Sequence, residues 1–148
     1  PLEVKARPRT VVDAQFSFVW GAATAITKGK VTLDDYTDEA IVDPDVLEVA
    51  SKVSVVHNPE MDTGGLEPVR VTVETTDGRT LSVLTKEATG SPENPVTFPE
   101  CARKFRECVS CAQHPVSAQR QEQIISAVSR LDQLESISDL IALTFWED

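Results

Sequence analysis

Apolar residues recur at helical spacing in the N-terminal part of the chain. Between residues 13 and 28 they predict one helix, and Gly29 is suited to end it in the left-handed conformation. Apolar side chains cover so many sides of this helix that we expect it to be buried on several of them. One apolar face is formed by Phe18, Ala22, Ala25 and Ile26.

Two further helix starts follow. Thr32 precedes Asp35 by three residues, an arrangement that caps helices. Asp43-Pro44 is the stronger start, because an N-cap carboxylate stands before a proline at the first helical position. The acidic cluster near the first start favours a solvated helix face over a metal or general-acid site. It consists of Asp34, Asp35, Asp38 and Glu39.

Valine-rich segments in the middle of the chain predict strands. Residues 52–57 are centred on valines and predict a first strand. Residues 69–73 alternate valine with polar side chains, which is typical of a half-buried strand with one face towards solvent. Residues 80–85 are expected to be the return strand of a hairpin.

The hairpin turn contains Asp77-Gly78. A two-residue loop would place Val73 opposite Ser82 and mix the two faces of the hairpin. A three-residue loop instead pairs Val73 with Leu81, and it needs a left-handed Gly78 followed by a bulge. The pattern therefore favours the three-residue loop.

The last third of the chain returns to helical patterns. Thr97 and Glu100 form a capping box for one helix, Ile124 and Val128 mark an amphipathic helix, and Ser136 is suited to cap a short last helix. We therefore expect an α+β fold in which helices pack on a small antiparallel sheet.

Composition and charge narrow the functional classes. The 148 residues suit a single domain, and 24 acidic against 14 basic residues give a net charge of −10. This charge argues against nucleic acid and anionic membranes as partners. The longest stretch without an ionisable side chain, residues 14–27, is shorter than the roughly 20 residues that span a bilayer. Three cysteines imply no disulfide framework, so a cytoplasmic location is the simpler interpretation.

A cysteine- and histidine-containing segment is the first candidate for chemistry. Cys101, Cys108, Cys111 and His114 lie on or just after one predicted helix, whereas a tetrahedral zinc site needs ligands from separate elements. We expect buried structural cysteines instead of a metal site. Gly64-Gly65 lacks the lysine and the strand-to-helix context of a phosphate loop. The residues taken alone thus indicate a soluble α+β module and no assembled catalytic group.

Several segments resemble, in order, the MmgE/PrpD (2-methylcitrate dehydratase) family. The first is Phe16-Ser17-Phe18 with the aromatic and small residues after it. The others are Gly29, Tyr36, Asp43-Pro44 with Val46, Lys52-Val53-Ser54-Val55, the Asp77-Gly78 hairpin, residues 90–97 and Lys104-Phe105-Arg106. The match extends over nearly the whole chain.

The resemblance implies a larger parent enzyme. Members of the family combine an all-helical domain with a smaller α+β domain. Residues 1–112 would belong to the small domain, and residues 113–148 would be a C-terminal helical segment returning towards the missing all-helical domain. Residue 1 is Pro rather than Met, and we expect the chain to be part of a longer protein.

The resemblance also implies a class of reaction. Family members dehydrate 2-methylcitrate, decarboxylate cis-aconitate or epimerise iminodisuccinate, without a cofactor. The shared chemistry is proton transfer beside a carboxylate of a small polycarboxylate. The family's catalytic groups come mostly from upstream segments, so we expect no catalytic residue in this chain, no cofactor and no metal.

Ser17 and Trp20 are the substrate-pocket candidates that the resemblance implies. The family often has Tyr at the position of Trp20, so the substrate hydrogen bonds of a phenol would be lost here. A core anchor is an equally favoured interpretation of Trp20.

The sequence thus favours the C-terminal fragment of a cofactor-independent lyase or isomerase, inactive alone. The alternative is a non-catalytic ligand-binding or protein-interaction module. The expected partners are the upstream helical domain, a small polycarboxylate and further copies of the chain in a homo-oligomer. A second face of the residue 13–28 helix, containing Gly21 and alanines, would meet the helical domain or a subunit.

Overall fold

A computed structural model describes residues 5–62, 68–114 and 116–145. The chain divides into two compact units, Pro1–His57 and Asn58–Asp148, which are described separately below. The first unit contains helices α1 (Val11–Gln15), α2 (Phe18–Lys28) and α3 (Pro44–Ala50). The second contains strands β1 (Val69–Glu74) and β2 (Thr80–Thr85), followed by helices α4 (Phe98–Ser110), α5 (Ala118–Ser129) and α6 (Ile137–Thr144). The α+β class with a small antiparallel sheet is therefore confirmed.

The predicted N-terminal helix is interrupted by a cap. Instead of one helix over residues 13–28, α1 ends at Gln15 and α2 begins at Phe18. Ser17 is the reason, because its hydroxyl oxygen accepts a hydrogen bond from the backbone N–H of Trp20 at 3.0 Å. An N-cap serine satisfies one of the N–H groups that lack partners at a helix start. The predicted left-handed Gly29, with φ of 79°, ends α2.

The core of the first unit lies between α2 and α3. Helix α2 contributes Val19, Trp20 and Ala23, and α3 contributes Val46 and Ala50. The predicted apolar face of α2 is on the other side. Phe18 is 82% exposed and Ile26 is half exposed, so burial on several sides, as expected for this helix, is not found among the described residues. The helix buries the face that contains its largest residue.

An ion pair joins the end of α2 to the start of α3. Lys28 lies 3.0 Å from Asp35 and 3.4 Å from Asp43, the N-cap of α3. Asp35 also accepts hydrogen bonds from the Thr32 backbone N–H at 2.7 Å and from the Thr32 hydroxyl at 3.0 Å. Asp35 is buried, which corrects the expectation of a solvated acidic cluster for this residue.

The contacts of Asp35 change the ionisation of both partners. Burial acts to raise the pKa of Asp35, but the hydrogen bonds from Thr32 and Lys28 outweigh it and lower that pKa below its ordinary value. The hydrogen bond to Asp35 in turn raises the pKa of Lys28. The pair is thus held in its charged form, and it closes the loop between the two helices that form the core.

Residues 52–57 form no strand. Lys52 lies in a turn that follows α3, residues 53–57 belong to no helix or strand, and Val56 is exposed. A valine-rich segment becomes a strand only where another strand pairs with it, and the described residues offer it none. The predicted first strand is therefore wrong.

The hairpin of the second unit has the predicted register. Val71 pairs with Val83 and Val73 with Leu81. Gly78 has φ of 86°, and its N–H donates to the Thr75 carbonyl at 2.9 Å. The three-residue loop is confirmed, because only a left-handed residue such as Gly closes this turn without steric cost.

Burial of one hairpin face was predicted and is not found. Val71 is 48% exposed and Val83 is 67% exposed, and Val73 alone in β1 is partly buried. A two-stranded ribbon has too few neighbours to cover its own apolar side chains.

The helices of the second unit begin where the sequence indicates. Thr97 and Glu100 form the capping box of α4, and Ser136 caps α6. Arg106 on α4 makes two parallel hydrogen bonds, of 2.8 and 2.9 Å, to Glu122 on α5. Among the residues described in this unit, the buried apolar side chains are those of Ala102 and Ala127. The domain division predicted after residue 112 stays a prediction.

No helix in the described ranges is long and apolar enough to cross a membrane.

Candidate functional site

The corner between α1 and α2 contains both residues that the sequence singled out. Ser17 is 5% exposed, and its hydroxyl group is engaged twice within the fold. It donates to the Lys5 carbonyl at 2.6 Å and accepts from the Trp20 N–H. The hydroxyl thereby ties the segment before α1 to the first turn of α2. The Ser17 hydroxyl is therefore already used once as a donor and once as an acceptor within the fold.

Trp20 lies in the core, one turn after this cap. Its side chain is fully buried, at 0% exposed, against residues of α2 and α3. The indole Nε1–H has no hydrogen-bond partner among the described residues, and the Trp20 carbonyl accepts from the Thr24 hydroxyl at 2.9 Å. These contacts favour a core anchor. The placement of Ser17 and Trp20 in a substrate pocket stays a prediction.

The outer surface of the corner forms a shallow depression of about 180 Å³. It is lined by Lys5, Phe16, Phe18, Val19 and Val55. The Lys5 ammonium donates to the Phe16 carbonyl, and Lys5 lines the depression together with Phe16 and Phe18. A cation next to an apolar wall suits a carboxylate attached to a short carbon chain.

Sequence reasoning missed Lys5 and the outward position of the two phenylalanines. Phe16 and Phe18 flank the buried Ser17 and are themselves 74% and 82% exposed. Short-range sequence patterns gave no signal for this placement. The depression and the buried pair therefore belong to one local structure, with Ser17 at its centre.

A larger groove of about 560 Å³ lies in the second unit, along α5 and α6. Its lining includes the apolar residues Ala127, Leu134, Leu140 and Leu143. The charged residues Glu122, Arg130 and Asp139 also line it. This mixture suits apolar side chains better than a ligand with several carboxylates.

Comparison with known proteins decides the family. A family model described as "MmgE/PrpD C-terminal domain" matches residues 2–133, which is most of the chain. The chain belongs to the MmgE/PrpD family. The resemblance to this family, which the sequence showed in segments such as those around Ser17, Asp43-Pro44 and the hairpin, is thereby confirmed.

One curated relative of this MmgE/PrpD chain is the cis-aconitate decarboxylase-like protein oryM of Aspergillus oryzae (strain ATCC 42149 / RIB 40). The two are 28% identical over 138 residues, which cover 93% of this chain and 28% of the relative. The chain thus spans little more than a quarter of the relative's length.

The cysteines of the MmgE/PrpD chain are not where the sequence predicted them. Cys101, Cys108 and Cys111 are exposed and outside any disulfide, so the expectation of buried cysteines is wrong. Helix α4 buries Ala102 and partly buries Phe105 and Val109, which turns the cysteines towards solvent. In the part of the chain that the structure describes, no group of three or more His, Cys, Asp or Glu side chains is placed to hold a metal ion.

Proposed function

We propose that this chain is the α+β part of a cofactor-independent lyase or isomerase that acts on a small polycarboxylate. The observation that carries the proposal is the family match over residues 2–133. The relative named as cis-aconitate decarboxylase-like supports the substrate class, because cis-aconitate is itself a small polycarboxylate. We also propose a reducing, cytoplasmic environment, since the three thiols lie outside any disulfide.

We propose that the catalytic acid and base come from a further, helical domain. Proton transfer beside a carboxylate needs a base within hydrogen-bond distance of the proton. The α1–α2 corner offers Lys5, a cation that suits binding, and Ser17, whose hydroxyl is already used in the fold. The contribution of this chain is then to bind and orient one end of the substrate. Ser17 and Trp20 are positioning residues in this proposal, because they hold the corner that presents Lys5 and the phenylalanines.

The first prediction compares the 148-residue chain with the protein encoded by the complete reading frame. The chain alone is expected to give no turnover of cis-aconitate or 2-methylcitrate, because it lacks the acid–base pair. The complete protein is expected to turn over one of these or a related polycarboxylate. Both proteins are assayed by NMR of substrate and products, with and without a chelator.

Two outcomes would contradict this proposal. Turnover by the 148-residue chain would show that the catalytic groups lie within it. A complete protein that converts none of a panel of di- and tricarboxylates would favour the alternative, a non-catalytic binding or interaction module.

We further propose that the exposed face of α2 is covered by the helical domain of the same protein, in an enzyme that is itself a homo-oligomer. Phe18 and Ile26 are exposed on this face, and Phe16 stands beside it. Exposed apolar patches of this kind mark interaction surfaces. The relative is long enough to contain such a domain, because this chain matches only 28% of it.

The second prediction tests this face by the mass of the chain in solution. The 148-residue chain is expected to self-associate, because its apolar α2 face lacks the proposed cover. Phe18→Asp is expected to reduce this association strongly, whereas Val128→Asp, a charge placed on an exposed valine of α5, should leave it nearly unchanged. Light scattering over a concentration series measures the association of the wild-type chain and of the two variants. A wild-type chain that stays monomeric throughout would contradict the proposed surface.

A further inference from the structure

Two of the exposed cysteines lie three residues apart at the end of α4. Cys108 is in the last turn of the helix, and Cys111 is its C-cap. Both side chains are exposed, and neither is in a disulfide. The backbone N–H of Cys111 donates to the carbonyl of Cys108 at 3.2 Å, so the two residues are the ends of one hydrogen-bonded turn.

This turn brings the two cysteines within reach of a disulfide bond. The first and fourth residues of such a turn have Cα atoms less than about 7 Å apart. Disulfides join Cα atoms that are about 4.4–6.8 Å apart. Cys101 precedes Cys108 by seven residues of continuous helix, which is about 10 Å of rise. The geometry therefore selects Cys108 with Cys111 and leaves Cys101 outside the pair.

The backbone after Cys111 can move without disturbing a helix or a strand. A disulfide needs Cβ atoms about 3.8 Å apart, which is closer than successive turns of a regular helix place them. Cys111 has already left the helix, with φ of −101° and ψ of 7°. Residues 112–114 belong to no helix or strand, so the small movement that closes the bond disturbs no regular element.

We propose that Cys108 and Cys111 are a reversible redox pair that reacts with low-molecular-weight disulfides. The thiolate of one cysteine attacks such a disulfide, which forms a mixed disulfide and releases one small thiol. The second cysteine then attacks the protein sulfur of the mixed disulfide, forms the Cys108–Cys111 bond and releases the second small thiol. Two protein thiols are oxidised, one small disulfide is reduced, and both protein protons leave with the released thiols or the solvent.

The second step is favoured by proximity. A thiol held in the same turn acts at a high effective concentration compared with thiols in solution. We therefore expect the closed pair to exceed the mixed disulfide at these two cysteines by about tenfold or more. Cys101 has no partner within reach, so it should stop at the mixed disulfide. This modification site is separate from the proposed substrate-binding corner and does not depend on it.

The third prediction uses oxidised glutathione as the probe. The full 148-residue chain is incubated with it, and the products are mapped by peptide mass spectrometry. The peptide that contains Cys108 and Cys111 is expected to lose two hydrogens and to contain no glutathione. Cys101→Ser is the matched control and should leave this closure unchanged. Cys108→Ser and Cys111→Ser should each leave glutathione attached to the remaining cysteine of the pair, and a reducing agent should reverse every product.

Three results would overturn the proposal. One is glutathione retained on Cys108 and Cys111 of the wild-type chain. Another is a disulfide that includes Cys101. The last is a wild-type chain in which neither cysteine of the pair reacts. Circular dichroism of each serine variant, recorded beside the mapping, shows whether the helices are intact, so that misfolding is not mistaken for lost reactivity.

Discussion

Replacing Trp20 by alanine is expected to lower the free energy of unfolding of the first unit by about 3–5 kcal/mol. The side chain is the largest in the core and is fully buried between α2 and α3. Its removal leaves a cavity that small neighbours such as Ala23 and Ala50 cannot fill. Hydrogen exchange of the backbone amides in residues 5–57 measures the loss, since it reports this unit separately from the rest of the chain.

Two further variants make the Trp20 result specific. Phe18→Ala removes an aromatic ring from the same helix, but this ring is exposed. The free energy of unfolding should therefore change by less than about 0.5 kcal/mol. Trp20→Phe keeps a ring in the core and removes the Nε1–H, which has no hydrogen-bond partner among the described residues. It should therefore lower the free energy of unfolding clearly less than Trp20→Ala does. A loss below about 1 kcal/mol for Trp20→Ala would contradict the core-anchor role. If turnover of the complete protein then fell, Trp20 would belong to the pocket.

Replacing Asp35 by alanine is expected to lower the free energy of unfolding of the same unit by about 2–3 kcal/mol. The substitution removes the acceptor of two hydrogen bonds from Thr32 and the nearer partner of Lys28. It also loosens the connection between α2 and α3, on which the core depends. The control is Asp38→Ala, an exposed aspartate of the same acidic cluster, which should change stability by less than about 0.5 kcal/mol.

The contribution of Asp35 to the free energy of unfolding should depend on pH in a defined direction. The folded-state pKa of Asp35 is lowered, so its stabilising contribution is fully present above the unfolded-state pKa and is lost as the pH falls through the folded-state pKa. The pKa of Lys28 is raised, so its contribution is complete below its unfolded-state pKa and is lost as the pH rises through the folded-state value. The difference in stability between wild type and Asp35→Ala should therefore be constant around neutral pH and shrink in acid. A difference that grows towards acid would contradict the ion pair.

Local signals in the sequence predicted the ends of elements well. Gly29, Asp43-Pro44, the Thr97–Glu100 box and Gly78 all act within a few residues of their own position. Caps and turns are decided by backbone hydrogen bonds and φ angles, which a short stretch of sequence determines. The hairpin register followed for the same reason, because the turn determines which residues pair.

Burial was predicted less well, because it depends on partners far along the chain. Helix α2 has apolar residues on several faces, and the packing of α3 decides that the face of Val19 and Trp20 is covered rather than that of Phe18. Residues 52–57 have strand propensity, but no strand in the described part of the chain pairs with them. The cysteines of α4 were expected to follow the general burial of this residue type, but the helix buries the face of Ala102 instead.

The role of Ser17 and Trp20 in a substrate pocket stays a prediction. The resemblance drew attention to Ser17 and Trp20, and the structure places both in one corner of the fold. Their contacts there are internal: Ser17 bonds to the Lys5 carbonyl and caps α2. The surface groups Lys5, Phe16 and Phe18 depend on the direction in which the chain enters α1 and α2, and no short-range pattern in the sequence specifies that direction.

Few apolar side chains are buried among the described residues of the second unit, and this has a consequence for synthesis. The ribosome delivers residues 5–57 before the hairpin, and this earlier unit has the core that Trp20 anchors, so it is able to fold as it emerges. The later residues present exposed valines and leucines such as Leu81, Val83 and Leu131. Until another surface covers them, these side chains are the part of the nascent chain that chaperones will bind and that aggregation will begin from.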